Sequence, residues 1–319
     1  MSTVAGFLGK IPGFISGKKT EEHKRLTVYI HQYVHTLRHR TRSHKRSFLN
    51  LAKKIEAYEA ENYIIIYTDS FCENTTEDFI YFLREKYNYR ANTVRTMYQK
   101  LSHVLRCAHK SGYKVDFRFE YMDIKEEYVP AISLNLPEIE RIYNLNIKNE
   151  EIVKIRDRFV IGCCTALRYS DYSILSSDNC IGNNIIIKTK KTGAVVVIPQ
   201  HRYVREILAK YNFHLPALKS QQNFNKVIKN ICKRAGIDDL VRIERTVGVK
   251  IERKNYRKWE LVSSHTARRS GATNMYLAGI PVFRIMLLTG HVTEKSFFKY
   301  ICISKEENAN VLAGNEFFK

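Results

Sequence analysis

Residues 263–300 read SSHTARRSGATNMYLAGIPVFRIMLLTGHVTEKSFFKY. Ser263 and Ser264 are residue types that cap helix N-termini, and a helix begun there carries His265 and Arg268 in its first turn. Three positions apart, the two side chains share one face and can approach the same anion, helped by the positive end of the helix dipole. By itself H-x-x-R equally describes an ordinary surface pair. Pro281 starts a further helix, Thr289-Gly290-His291 follows it, and Tyr300 lies nine residues beyond His291. Beside Phe297 and Phe298 a lone tyrosine is also at home in a hydrophobic core.

Upstream, Thr165-Ala-Leu-Arg168-Tyr-Ser-Asp171 closes a helix around Arg158 to Ala166. An Arg and an Asp at this spacing suggest, on their own, a structural ion pair. The stretch NNIIIKTKKTGAVVVIPQ (183–200) predicts two β-branched strands joined by a turn at Lys191, Thr192 and Gly193. Lysines crowd its tip. A helix holding Phe224, Val227, Ile228 and Ile231 is capped by Gly236, and VRIERTVGVKIERK (241–254) predicts a second hairpin turning at Gly248. In SLNLPEIERIYNL (133–145), Pro137 suits a first helical turn, with Ile139, Ile142 and Leu145 as the buried face.

The first third is helical throughout. Leu26, Tyr29, Ile30, Tyr33, Val34 and Leu37 recur at three- and four-residue steps, and the basic run Arg38 to Lys45 ends that helix. A second carries Phe48, Leu51, Ile55 and Tyr58, and a third begins near Asn74, spaced to Glu77 as in a capping box. The fourth runs from Asn92 through Met97, Leu101, Val104, Leu105 and Ala108, with Gly112 suited to the left-handed cap. This fourth helix also bears Arg95, Lys100, Arg106 and Lys110, either a phosphate-facing stripe or a solvated face. From about Val115 to Val129 the helical period is lost. The expected organisation is an N-terminal segment 1–20, a helical domain 21–114, a linker 115–130 ending at Pro130, and a second domain 131–319 with a tail from 301.

A chain of 319 residues accommodates two cores. Lys and Arg number 53 against 32 Asp and Glu, a net charge of +21, which implies a polyanionic partner. Nucleic acid is the first candidate and a membrane surface the second. No apolar run approaches the roughly 18 to 20 residues of a membrane span, and Lys10 and Pro12 break the apolar opening, so no signal peptide is read. A cytoplasmic protein is expected. The seven cysteines are odd in number and lack C-x-x-C spacing, which predicts reduced thiols without structural zinc.

In this order, the segments resemble the tyrosine recombinase (phage integrase) family, including the site-specific recombinases of bacterial mobile elements. That family has its first Arg in a T-G-L-R-x-x-E box, then a hairpin Lys, H-x-x-R, G-H, and a Tyr nine residues later. The resemblance covers about Ser133 to Phe318, and the helical domain before the linker resembles the family's core-binding domain. The fold so implied is mainly α with a small β-sheet: a SAM-like helical domain followed by a mixed α/β catalytic domain. Two departures occur, Ala166 for the usual Gly and Arg269 where His is common, and both are expected to alter packing alone.

The resemblance implies a DNA-cutting and rejoining enzyme working through a 3′-phosphotyrosine. Tyr300 would be the nucleophile. Arg168 and Arg268 would clamp the scissile phosphate, a task for planar donors that never deprotonate. His265 would take the phenol proton or hold the phosphate, and His291 would donate a hydrogen bond to it. For the general acid Lys188, Lys190 and Lys191 compete; Lys191, eight residues before Pro199, is preferred and Lys190 is next. Asp171 would brace Arg168. The implied partners are double-stranded DNA sites held by a homotetramer, with no metal or ATP required. Val311, Leu312, Phe317 and Phe318 of the tail would dock on a neighbouring protomer or pack on their own domain. The alternatives are a type IB topoisomerase and a non-catalytic basic DNA-binding protein.

Overall fold

The computed structural model describes residues 23–218, 220–303, 308–309, 312–314 and 316–318. The segment 1–20 and Val311 lie outside these. The chain divides into two units, Met1–Tyr128 with Arg245–Glu252, and Val129–Glu244 with Arg253–Lys319. The described residues are mainly helical with two small antiparallel sheets. No helix among the described residues is long and apolar enough to cross a membrane.

The first unit holds α1 (Leu26–Thr36), α2 (Arg42–Asn62), α3 (Glu73–Tyr87) and α4 (Ala91–Lys110). Thr41 caps α2 by accepting the His44 N–H at 3.2 Å. Leu26, Ile30, Leu51, Ile55, Phe79, Val94, Leu101 and Leu105 form the sealed core, at the helical spacing of the sequence. The buried carboxylate of Glu59 receives Arg25 Nη2 at 2.7 Å and the Ile66 N–H at 2.8 Å, tying the loop after α2 to the start of α1. Burial of Phe71 fixes the approach to α3, which starts one residue before Asn74. Cys72 therefore occupies the N-cap and the expected Asn74–Glu77 box does not form.

The stretch expected as a free linker is partly folded into this unit. Phe117–Tyr121 forms a 3-10 turn whose Phe119 is completely buried in the helical core. Tyr98 Oη donates to the Phe119 carbonyl at 3.0 Å, Arg95 Nε to the Ile124 carbonyl at 2.9 Å, and Arg106 Nε to Glu120 at 2.7 Å. Aromatic residues between charges hid this: Phe119 contributes a single buried ring without any helical period. Residues 245–252 also belong here. The Gly248 N–H donates to the Tyr89 carbonyl at 3.0 Å, and Thr246 gives both its N–H and its hydroxyl to Glu127 at 2.6 Å.

The second unit contains α5 (Leu136–Tyr143), α6 (Glu150–Thr165), α7 (Tyr169–Tyr172), β1 (Cys180–Ile181), β2 (Asn184–Lys188), β3 (Val195–Pro199), α8 (Arg202–Lys210) and α9 (Gln221–Arg234). The hairpin β4 (Leu240–Val247) and β5 (Lys250–Arg257) follows, its tip Arg245–Glu252 belonging to the first unit, then α10 (Lys258–Leu261), α11 (Ser264–Leu277), α12 (Val282–Thr289) and α13 (Glu294–Phe298). Asn135 and Glu138 form a reciprocal capping box at α5, with Pro137 in the first turn. In β2 and β3, Ile185 faces Ile198 and Ile187 faces Val196; these four are buried while Val195 and Val197 point outward.

Helices α6 and α11 pack against each other at the centre. Two glycines permit their approach. A Cβ on Gly271 would stand 2.6 Å from the Cys163 carbonyl oxygen and 2.8 Å from Ala166 Cβ, and one on Gly162 would stand 2.7 Å from the Tyr172 ring and 2.9 Å from Ala267 Cβ. This contact sets the end of α6, where Arg168 lies, beside the first turns of α11, where His265 and Arg268 lie.

Candidate active site

Arg268 is completely buried on α11, on the side facing α6. Its Nη1 donates to the Ala166 carbonyl and its Nη2 to the Thr289 carbonyl, both at 2.9 Å. Ala166 presents that carbonyl because it ends α6 in the left-handed region, φ 52, where the family pattern has a conformationally free glycine. The departure at Ala166 thus concerns backbone conformation as well as packing. Arg268 Nη2 also lies 2.9 Å from His291 Nε2, and His291 Nδ1 lies 2.8 Å from Thr289 Oγ1. Gly290, φ 67, caps α12 and turns His291 back over it, its N–H bonded to the Met286 carbonyl.

Tyr300 enters this cluster from just beyond α13. Its ring centroid is 5.0 Å from that of His265 and 4.8 Å from that of His291, and the Arg268 guanidinium carbon lies 5.1 Å from it. Its backbone is held to α11: Thr273 Oγ1 donates to the Tyr300 carbonyl at 3.4 Å and accepts the Cys302 N–H at 3.1 Å.

Burial and surrounding cations set the protonation states. The His265 pKa falls from 6.5 to about 4, chiefly through burial, then through Arg269, Arg268, Arg168 and Lys191. That of His291 falls to about 3 through burial, Arg268 and Arg168. Both imidazoles are neutral at pH 7. Arg268 is lowered to about 10, by burial first and by Arg168 next, and stays charged. Five buried guanidinium atoms find no acceptor among the described residues, and three of them, Arg168 Nη1, Arg268 Nε and Arg269 Nε, belong to this cluster; the others are Arg84 Nε and Arg158 Nε. Donors left so at a cationic cluster match an anion with several acceptor oxygens.

The structure thus brings Arg168, His265, Arg268, His291 and Tyr300 into one electrostatic cluster, and Lys191 close enough for its charge to act on His265. The lysine turn is set by Thr189, whose hydroxyl meets Thr192 Oγ1 at 2.8 Å, and by Gly193 at φ 70. Lys190 and Lys191 are both exposed. Lys188 ends β2, paired with Val195.

Two sequence expectations are corrected. No ion pair or hydrogen bond joins Asp171 to Arg168; the buried Asp171 Oδ1 instead accepts the Lys190 backbone N–H at 2.9 Å, bracing the lysine turn. Helical spacing could not show this, because the acceptor's partner arrives from the hairpin. His291 Nε2, the opposite edge of the ring from Thr289, accepts in this arrangement rather than donates, since it faces a guanidinium that can only donate. The stripe on α4 is also altered: Arg95 and Arg106 are held by the segment after α4, whereas Lys110 is exposed and Lys100 half-buried, its pKa lowered by burial. A larger exposed basic run, Arg38, Arg40, Arg42 and Arg46, surrounds the turn between α1 and α2. Thr289 and Thr273 are site residues that sequence reasoning missed, because a buried threonine on a helix has no distinguishing pattern. Among the described residues no group of three His, Cys, Asp or Glu side chains is placed to hold a metal ion.

No protein-family model matches the sequence, and no curated protein sequence does. Solved structures do match in fold. A lambda integrase (75–356) dimer bound to a COC′ core site shares 14% identity at a TM-score of 0.63, over 88% of this chain and 95% of that one. The Tn1549 transposon integrase (82–397) in complex with circular intermediate DNA shares 13% identity at a TM-score of 0.66, over 91% of this chain and 99% of that one. A lambda integrase tetramer bound to a Holliday junction shares 14% at 0.63, over 84% and 78%. Cluster and architecture lead to one conclusion: the chain has the fold of the tyrosine recombinases.

Proposed function

We propose that the chain is a site-specific DNA recombinase that cleaves and rejoins strands through Tyr300. The observation that carries this reading is the placing of the Tyr300 ring within 5.1 Å of His265, His291 and Arg268, in a pocket whose arginines keep buried donors without acceptors. The phenol oxygen attacks the scissile phosphorus and the bond to the 5′ oxygen breaks, leaving a 3′-phosphotyrosine. The phenol proton passes to neutral His265, and Lys191 protonates the departing 5′ oxygen. Arg168 and Arg268 neutralise charge building on the nonbridging oxygens, the largest contribution in reactions of this type. The bond energy stays in the tyrosine linkage, so no nucleotide is consumed on rejoining.

The +21 charge supports double-stranded DNA as the partner, with the run Arg38 to Arg46 joining Lys110 as phosphate contacts. Assembly as a tetramer on two DNA sites is supported by exposed apolar residues: Phe283 and Leu287 one turn apart on α12, and Leu312, Phe317 and Phe318 in the tail. The lambda integrase neighbour was seen as a tetramer on a Holliday junction. The test is a covalent adduct. A duplex selected from a randomised pool by binding to the protein, then nicked beside the cleavage position, should trap the chain on the DNA in a denaturing gel.

A further inference from the structure

Thr289 is completely buried, and its hydroxyl makes two short contacts, to the Ile285 carbonyl at 2.7 Å and to His291 Nδ1 at 2.8 Å. A hydroxyl has one proton, and a carbonyl can only accept. The Thr289 proton is therefore directed to Ile285, and the contact with His291 needs a proton on Nδ1. The opposite edge of the imidazole gives the same answer independently. Arg268 Nη2, 2.9 Å from Nε2, has no lone pair to offer, so Nε2 must be the acceptor. A proton on Nε2 would set donor against donor, whether the ring were neutral or charged. One state satisfies both contacts: neutral, with its proton on Nδ1.

We propose that Thr289 is a positioning residue whose hydroxyl holds His291 in the Nδ1–H tautomer, so that Nε2 remains an acceptor and aims the Arg268 guanidinium at the reacting phosphate. The role in cleavage rests on the recombinase reading above; the tautomer does not. Arg268 Nη2 is then held by two acceptors, the Thr289 carbonyl and His291 Nε2, and Nη1 by Ala166. The orientation of the guanidinium plane, with Nε left for the anion, follows from these three. A single residue supplies both a carbonyl to Arg268 and a hydroxyl to the histidine that steers it.

The test has two arms. Long-range 15N–1H spectra of the DNA-free protein at pH 7 report which ring nitrogen of His291 carries the proton; wild type should show Nδ1–H, and Thr289→Val a mixture or Nε2–H. In the second arm, adduct formation on the selected nicked duplex should slow on the order of 10-fold or more in Thr289→Val, by analogy with the loss of the partner that orients a metal-ligating histidine. DNA affinity should be unchanged, and Thr289→Ser, which keeps the hydroxyl, should restore both tautomer and rate. Wild-type Nε2–H overturns the proposal, as does a Thr289→Val protein that keeps tautomer and rate, or a Ser variant as slow as Val. Should Val fail to fold, wild type and Ser still decide. Absence of any wild-type adduct would sink the recombinase reading while the spectra still judged the tautomer.

Discussion

Arg268 Nη2 donates to His291 Nε2 across 2.9 Å, with the imidazole as acceptor. The pair lies against the Tyr300 ring, so the guanidinium that would meet the phosphate is aligned before DNA arrives. Preorganisation of this kind adds no reorganisation cost in the transition state. Arg168→Ala and Arg268→Ala should each slow adduct formation by at least about 100-fold while weakening DNA binding far less. Single-turnover rates beside equilibrium binding measure both. An arginine whose alanine variant folds and cleaves normally does not contact the phosphate.

The hairpin lysine can be identified chemically. Lys191→Ala should fail on ordinary DNA and regain cleavage when sulfur replaces the scissile 5′ oxygen, because a thiolate departs without a proton. Rescue in Lys190→Ala and its absence in Lys191→Ala would move the general acid by one residue. Asp171, through the Lys190 N–H, holds this turn in either case.

Gly271→Ala should destabilise the second unit by about 1 to 3 kcal/mol, the usual cost of forcing a methyl into packed structure. The obstacle is backbone, the Cys163 carbonyl oxygen 2.6 Å from the new Cβ, and it can retreat only by moving α6 away from α11. Denaturant melts measure the loss. Cleavage should fall further than stability explains, since Arg168, just beyond the end of α6, and Arg268, on α11, follow the two elements being separated. Unchanged stability would contradict the tight packing.

Acid should destabilise the fold through its histidines. The folded-state pKa values of His265 and His291, about 4 and about 3, lie below the ordinary 6.5, so the unfolded chain binds protons first as pH falls. Stability from these groups is complete above pH 6.5 and is lost progressively toward pH 4 and below. Denaturant melts across this range should show the decline, with a shallower slope in the His265→Gln/His291→Gln double variant. A slope identical to wild type would mean that these imidazoles are not held neutral.

How much of this was legible in the sequence depended on distance along the chain. His265, Arg268, His291 and Tyr300 fall within 36 residues, and their spacing on short helices exposed the cluster. The lysine hairpin showed itself through β-branched alternation around Gly193. Contacts supplied by remote segments were invisible. Asp171 was matched to its neighbour at helical spacing, whereas its partner comes from the hairpin. Arg95 and Arg106 looked free on α4 because periodicity marks a polar face without revealing what covers it. The segment around Phe119 carries too little pattern to announce that it folds back. Thr289 gains its meaning from Ile285, Arg268 and His291 together, a relation that exists only in three dimensions.

Under the proposed function, Tyr300 attacks DNA within a cationic pocket and without a metal ion. This attack is tested most directly by measuring adduct on the selected nicked duplex, in excess EDTA and in magnesium at matched ionic strength, with wild type and Tyr300→Phe. Wild-type adduct should be equal under both conditions, with a phosphopeptide mapping to Tyr300, and Tyr300→Phe should form none while retaining its DNA affinity. Adduct formed by Tyr300→Phe, or wild-type adduct lost in EDTA and restored only by a divalent ion, would contradict this mechanism.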